Sequence, residues 1–285
     1  LFDGPDDADY DHYIGLYLQL KRTMDGCMSM PGEYEIREEA KMSDADREAS
    51  DSLRRTLAEA VDLLVQLEKT GIYHPFYIVE RMRIARRKGD RQETDACLDT
   101  LSVQELSNPY VILQCASAEE YLDRYEEARS SYEALLERQP ENYPASAGLM
   151  RCQMQAEEWD EAKERIMDLL DVSKNDPQIL ESMHQVNSHL IPRMEARLKE
   201  DPDNWEERIE LGWCYFQEEC NEECIKLLNE RPLPEEHRLD YCNMLSRTYL
   251  MLKEYRKTLP LMKEWQKRML ELPDSDDPEK QKKKR

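Results

Sequence analysis

The chain has 285 residues, with 40 Lys and Arg against 62 Asp and Glu, a formal net charge of -22 and a sequence pI near 4.7. A field of that sign repels a polyanion and excludes nucleic acid as a main partner, and no apolar run approaches the roughly 20 residues that a membrane span needs. Mean hydropathy is -0.87 although 40% of residues are hydrophobic, and only 8 Gly and 14 Pro are present, a balance that suits thin helical layers better than a loop-rich enzyme.

In chain order, residues 1–42 form an acidic segment with Asp3, Asp6, Asp7, Asp9 and Asp11. Within it Tyr10, Tyr13, Ile14, Tyr17 and Leu18 fall at i, i+3, i+4, i+7 and i+8, which predicts a short amphipathic helix. Gly26 to Gly32, with Met28, Met30 and Pro31, is expected to be a linker. The helix is expected to pack on the end of a helical array; the alternative is that it lies in a binding groove and competes with partners. A start at Leu1, with no signal-peptide pattern, is expected of a piece cut from something larger. Ser43 to Lys69 predicts one helix, N-capped by Ser43 and closed at Gly71, with Ala58, Val61, Leu64 and Val65 as its stripe. Residues 43–74 are therefore expected to be a capping helix for the array, whose end units lack a neighbour.

From residue 75 onward a phrase of aromatic, acidic, acidic and small residues sets a period. Tyr125-Glu126-Glu127-Ala128 returns 34 residues later as Trp159-Asp160-Glu161-Ala162. The same step joins Cys224 to Thr258, and running backward from Ala128 it reaches Thr94 and then Ala60. Four and seven residues after these anchors stand Leu64 and Leu67, Leu98 and Leu101, Tyr132 and Leu135, Ile166 and Leu169, Met262 and Trp265, one buried helical face. Nineteen residues before the anchors come Pro75, Pro109, Tyr143 and Pro177. Proline is tolerated in a helix's first turn, and Asn108 and Asp176 precede two of the prolines as N-caps. Each period predicts helix, tight turn, helix and short loop. Six repeats are expected, at 75–108, 109–142, 143–176, 177–204, 205–238 and 239–272. The fourth is degenerate, with a second helix at Ile191 to Glu200 opened by Pro192 after a compressed turn. Residues 273–285 are expected to be a charged, solvated tail ending in Lys280-Gln281-Lys282-Lys283-Lys284-Arg285.

Leu211-Gly212 and Tyr215 in a first helix, with Gln139-Pro140 and Asp201-Pro202-Asp203-Asn204 between repeats, resemble the phrases of the tetratricopeptide repeat (TPR) family over about residues 75–272. Glu119 and Gln153 depart from it where a tyrosine is expected. Small residues (Ala116, Gly212 and Ser246 in first helices, Ala128, Ala162 and Cys224 in second ones) let paired helices approach. The resemblance implies an all-α, right-handed superhelical solenoid of antiparallel helix pairs. It also implies that one stripe of each first helix lines a concave groove. Those positions hold Phe76, Val79, Arg83, Arg86 and Arg87, then Tyr110, Leu113, Ser117 and Tyr121, then Ala147 and Arg151, then Ile209, Trp213 and Phe216, then Asn243 and Arg247.

No phosphate-cradling glycine loop, Gly-x-Ser-x-Gly elbow or His-Glu-x-x-His zinc helix is present, so no catalytic residue is assigned. His184 and His189 lie five apart on one helix and are expected to be structural. The eight cysteines (Cys27, Cys97, Cys115, Cys152, Cys214, Cys220, Cys224 and Cys242) mostly occupy apolar helix positions, as reduced core thiols of a cytoplasmic protein would. Cys220 and Cys224, one turn apart, lack further ligands at metal spacing, and no cofactor is expected. The basic run at Arg81, Arg83, Arg86, Arg87, Lys88 and Arg91 suggests that one end of the groove takes an acidic or carboxylate-bearing peptide; its bland alternative is a solvated basic face paired with neighbouring acids. The expected function is thus a non-enzymatic interaction scaffold or adaptor binding a partner peptide or helix. The second expectation is an accessory array of a larger protein, such as a co-chaperone or regulated enzyme, whose active domain lies elsewhere.

Overall fold

A computed structural model describes residues 7–27, 44–72, 74–102 and 108–271, and among these the regular structure is entirely helical. The chain divides into two compact units, residues 1–157 and 158–285. In the first, α1 (Asp7–Cys27), α2 (Asp44–Lys69), α3 (Pro75–Arg87), α4 (Arg91–Ser102), α5 (Pro109–Tyr121), α6 (Tyr125–Arg138) and α7 (Tyr143–Gln155) pack in sequence, each against its chain neighbour. In the second, α8 (Trp159–Val172) packs on α9 (Pro177–Glu200), α9 on α10 (Trp205–Gln217), α10 on α11 (Asn221–Asn229), and α12 (Arg238–Met251) on α13 (Tyr255–Glu271); α11 also meets α12.

The helices begin where the chemistry of their caps allows. Pro75, Pro109 and Pro177 each sit in the first turn, where the missing N–H has no intrahelical partner to lose. Asn108, Asn142, Asp176 and Asn204 accept from the first backbone N–H groups, and His74 Nδ1 does the same for α3. The anchors Ala60, Thr94, Ala128, Ala162, Cys224 and Thr258 are all buried, and so are Leu98, Leu101, Tyr132, Leu135, Ile166 and Leu169 beside them. Gly148 marks the closest approach: a Cβ there would lie 2.2 Å from the Tyr132 ring.

Within the pairs, one left-handed residue turns the chain. Gly89, Asp123 and Glu157 have φ of 74°, 63° and 60°, and Glu219 and Lys253 have 58° and 60°. Each set is spaced by 34 residues. The following N–H of Asp90, Arg124, Cys220 and Glu254 reaches five residues back, to the carbonyls of Ala85, Glu119, Tyr215 and Tyr249, the Schellman closure of a helix end.

Four sequence-based expectations are corrected. The helix at the start is long, and its buried face is Tyr13, Leu16, Leu20, Met24 and Cys27, while Tyr10, Ile14 and Leu18 are exposed. The wider apolar stripe wins because it can meet both α2 and α3. Gly26 and Cys27 are therefore helix, not linker; Met28, Met30, Pro31, Gly32, Ser43 and residues 273–285 lie outside the described residues. On α2, Leu53, Leu57, Ala60, Leu63 and Leu67 are buried, whereas Ala58 and Val65 are exposed. No turn separates two helices in residues 177–200: α9 is continuous with Pro192 inside it, since a prolyl ring removes one hydrogen bond without forcing the chain to reverse. Met262, expected in the buried face, is 44% exposed.

Candidate functional site

The basic stripe of α3 is occupied by the protein's own first helix. Val79 has no exposed surface and Arg83 is 5% exposed. The Arg83 guanidinium donates to Glu80 Oε2 at 2.8 Å, to the Tyr110 hydroxyl at 2.9 Å and to Asp25 Oδ1 of α1 at 3.1 Å. Tyr110 in turn donates to Glu80 Oε1 at 2.8 Å. One turn on, Arg87 donates to the Cys27 carbonyl at 2.7 Å, where the end of α1 leaves carbonyls without intrahelical donors. Phe76 stacks on Tyr17 at 5.7 Å and meets Tyr110 edge-on at 6.3 Å, and the Lys21 ammonium lies 4.9 Å from the Tyr110 ring. Burial, with Glu80 next in weight, pushes the Tyr17 hydroxyl up to about 12.

This corrects the expected groove at its first repeat. Val79 and Arg83 are interior, and Arg83 and Arg87 already hold partners from their own chain. The first helix packs on α2 and α3 and lies against the predicted stripe. Leaving Glu80 buried without Arg83 would cost several kcal/mol, so a charge reversal at Arg83 reports on stability rather than on recognition. Arg86 is half-buried and also engaged.

A second cluster joins α5, α6 and α7. Arg151 makes a bidentate pair with Glu120, its Nη2 at 2.9 Å from Oε2. Tyr132 donates to the same carboxylate at 2.9 Å, and Ser117 lies 3.3 Å from the Tyr132 hydroxyl. The predicted residues Ser117 and Arg151 are thus brought together, but around Glu120, which the sequence pattern did not single out. Arg91 covers Tyr121, donating to its carbonyl at 2.8 Å with the guanidinium 5.3 Å from the ring. Ala147 and Ile209, predicted to line the groove, are buried.

In the second unit, Trp213 and Phe216 form an edge-on aromatic pair at 5.8 Å, each half-buried. Arg247 is exposed and held by Asn243 Oδ1 at 2.9 Å. Beneath, His184 Nδ1 meets Glu218 at 2.8 Å, which raises the imidazole above its ordinary value chiefly through that hydrogen bond. His189 stacks on Trp159 at 4.0 Å. Arg208, 2% exposed, donates to the Pro202 and Leu227 carbonyls at 2.7 Å each and ties a loop to the end of α11. A buried arginine of this kind has no signature in the repeat pattern.

The cysteines are all free, and only Cys220 is not buried. Burial pushes Cys115 and Cys152 up to about 12 and Cys97 and Cys242 to about 11, away from nucleophile or ligand chemistry. Cys224 faces Thr248 rather than Cys220. Among the described residues no three His, Cys, Asp or Glu side chains converge as a metal site, and no helix is long and apolar enough to cross a membrane.

Paired helices, left-handed turns at a fixed period and small residues at the crossings define a helical-hairpin repeat protein. Residues 122–184 match the family model described as tetratricopeptide repeat. A solved tetratricopeptide repeat protein from Parabacteroides merdae ATCC 43184 is similar at 15% identity over 89% of this chain and 93% of its own, with a TM-score of 0.37. No curated protein matches.

Proposed function

We propose that this chain is a protein-interaction scaffold, of a cytoplasmic kind with its thiols reduced, and that it binds a partner peptide or helix across the first-helix stripe of its second unit. The observation that supports this most is the half-exposed Trp213–Phe216 pair, with exposed Arg247 on α12, a helix that packs on α10. Aromatics and arginine are the residue types that dominate interface energetics. Tetratricopeptide repeats mediate protein–protein contacts, which agrees with that chemistry. With Arg83 buried and Arg87 and Arg151 holding partners from their own chain, the preference for an acidic or carboxylate-bearing peptide rests on Arg247. Repeats running over 75–272, with α9 replacing a hairpin in the fourth, are part of the same proposal.

The test is affinity purification from the source cell with wild type, Trp213→Ala and Arg247→Glu, each checked for unchanged helicity, followed by mass spectrometry. A partner lost with Trp213→Ala and weakened with Arg247→Glu supports the proposal. An identical set of proteins recovered with all three refutes it.

A further inference from the structure

A different surface stands open on α13. The repeat register says which positions of a second helix should be covered by the helix after it. Four residues after the anchor, Tyr132 has no exposed surface because α7 lies over it, and Leu228 is 1% exposed with α12 against α11. Ile166, with α8 packed on α9, is likewise fully buried. The equivalent residue of α13 is Met262, and it is 44% exposed. Around it Tyr255, Leu259 and Leu270 are 63%, 56% and 81% exposed, so that one stripe at i, i+4, i+7 and i+15 stands open along the helix.

Among the described residues no helix comes after α13. Residues 272–285 contain a single large apolar side chain, Leu272. The electrostatics say what could cover the open face. In a chain of net charge -22, α13 holds five basic and two acidic residues. Arg256, Lys263 and Lys267 run along one edge of the open stripe, and all three are exposed. Lys267 has only a 3.8 Å contact with Glu271, while Arg256 and Lys263 form no ion pair among the described residues. Two copies of α13 packed on each other would bring these cations together, which disfavours a symmetric self-contact.

We propose that the outer face of α13 docks an acidic amphipathic helix of a partner protein, laid across it as α7 lies across α6. Apolar residues at helical spacing enter the stripe, and carboxylates on one flank meet Arg256, Lys263 and Lys267. This site is separate from the Trp213 stripe and stands or falls without it.

Three labelled synthetic peptides of about four turns probe it: one with leucines at the a and d positions and glutamates on the flanks, one with the same leucines and lysines on the flanks, and a scrambled control. Fluorescence anisotropy measures binding to the full chain. Saturable binding of the glutamate peptide, weakened roughly tenfold by Lys263→Glu with Lys267→Glu and abolished by Leu259→Glu, supports the proposal. Because these side chains are exposed, the variants should fold. Recovery of the lysine peptide by the double charge-reversed variant shows that the site itself is being read. Equal binding of both charged peptides, or no binding to either, overturns it. So does sedimentation with phosphatidylserine vesicles that is lost in the same variants while the glutamate peptide fails to bind, and so does a dimer in light scattering that Leu259→Glu disperses.

Discussion

Gly148→Ala separates tight helix crossing from mere helix propensity by the sign of its effect. Gly148 lies inside α7, where alanine is favoured over glycine by about 1 kcal/mol if there is room for the methyl group. There is none. The added Cβ would sit 2.2 Å from Tyr132 Cζ and within 2.6 Å of both neighbouring ring carbons. Restoring an ordinary contact of 3.4 Å means withdrawing the ring by about 1.2 Å (3.4 less 2.2). Tyr132 is fully buried and holds Glu120 and Ser117 through its hydroxyl, so it cannot swing away freely. Overpacking costs ~1–3 kcal/mol and weakened hydroxyl bonds ~1 kcal/mol more, against the ~1 kcal/mol propensity gain, so we expect a net loss of about 2 kcal/mol. Urea melts followed by circular dichroism measure it. The control is Gly212→Ala, where the nearest atom is the Met244 sulfur at 2.6 Å, on a flexible thioether that can move, and a change under about 1 kcal/mol is expected. Combining Gly148→Ala with Tyr132→Leu should be less damaging than the two single effects together. A Gly148→Ala protein as stable as wild type, or more so, would refute the packing argument outright.

Glycine at any of the left-handed positions Asp123, Glu157, Glu219 or Lys253 should stabilise by ~0.5–1 kcal/mol, since relief of ~1–2 kcal/mol of backbone strain exceeds the chain-entropy cost; Gly89→Ala should do the reverse, and shifts in the urea midpoint decide. A thiol reagent added to the native protein at pH 8 should modify Cys220 first, with all eight cysteines reacting only after denaturation; fast native reaction at Cys115 or Cys152 would contradict their burial. The His184 imidazole should titrate above its ordinary value in a pH series of NMR spectra, and Glu218→Gln should bring it back. Because its folded pKa is raised, this pair contributes stability fully below about pH 6.5 and loses it as pH rises through the folded value; an unchanged midpoint in Glu218→Gln would remove the assignment.

Much of the architecture was legible because a solenoid repeats its own instructions. Thr94, Ala128 and Ala162 share one register, Cys224 and Thr258 resume it after the short fourth repeat, and each is buried where the register puts it. Two of the failures had only one copy to read. A lone stripe on α1 could be drawn through Tyr10, Ile14 and Leu18 or through Leu16, Leu20 and Met24, and only the packing of α2 and α3 selects the second. Pro192 marks a helix start in most contexts, yet α9 carries it in the interior. The left-handed turns escaped notice because four of five positions hold Asp, Glu or Lys rather than glycine, so their conformation is imposed by the closure of the hairpin.

The arginines of α3 are engaged within their own chain for a reason that reaches beyond that helix. With sixty-two acidic residues against forty basic ones, a guanidinium readily meets a carboxylate from its own chain, at an effective concentration no free peptide matches. Arg83 takes Glu80 and Asp25, Arg151 takes Glu120, Arg91 takes Asp123, and Arg238 takes Glu264. A cluster of cations in an acidic chain is therefore a poor sign of a binding site until the internal pairs are known. The informative cations are those the fold leaves over. On α13 no helix among the described residues covers the outer face. There the surplus of charge and the open apolar stripe coincide, which neither the composition nor the repeat pattern alone would have shown.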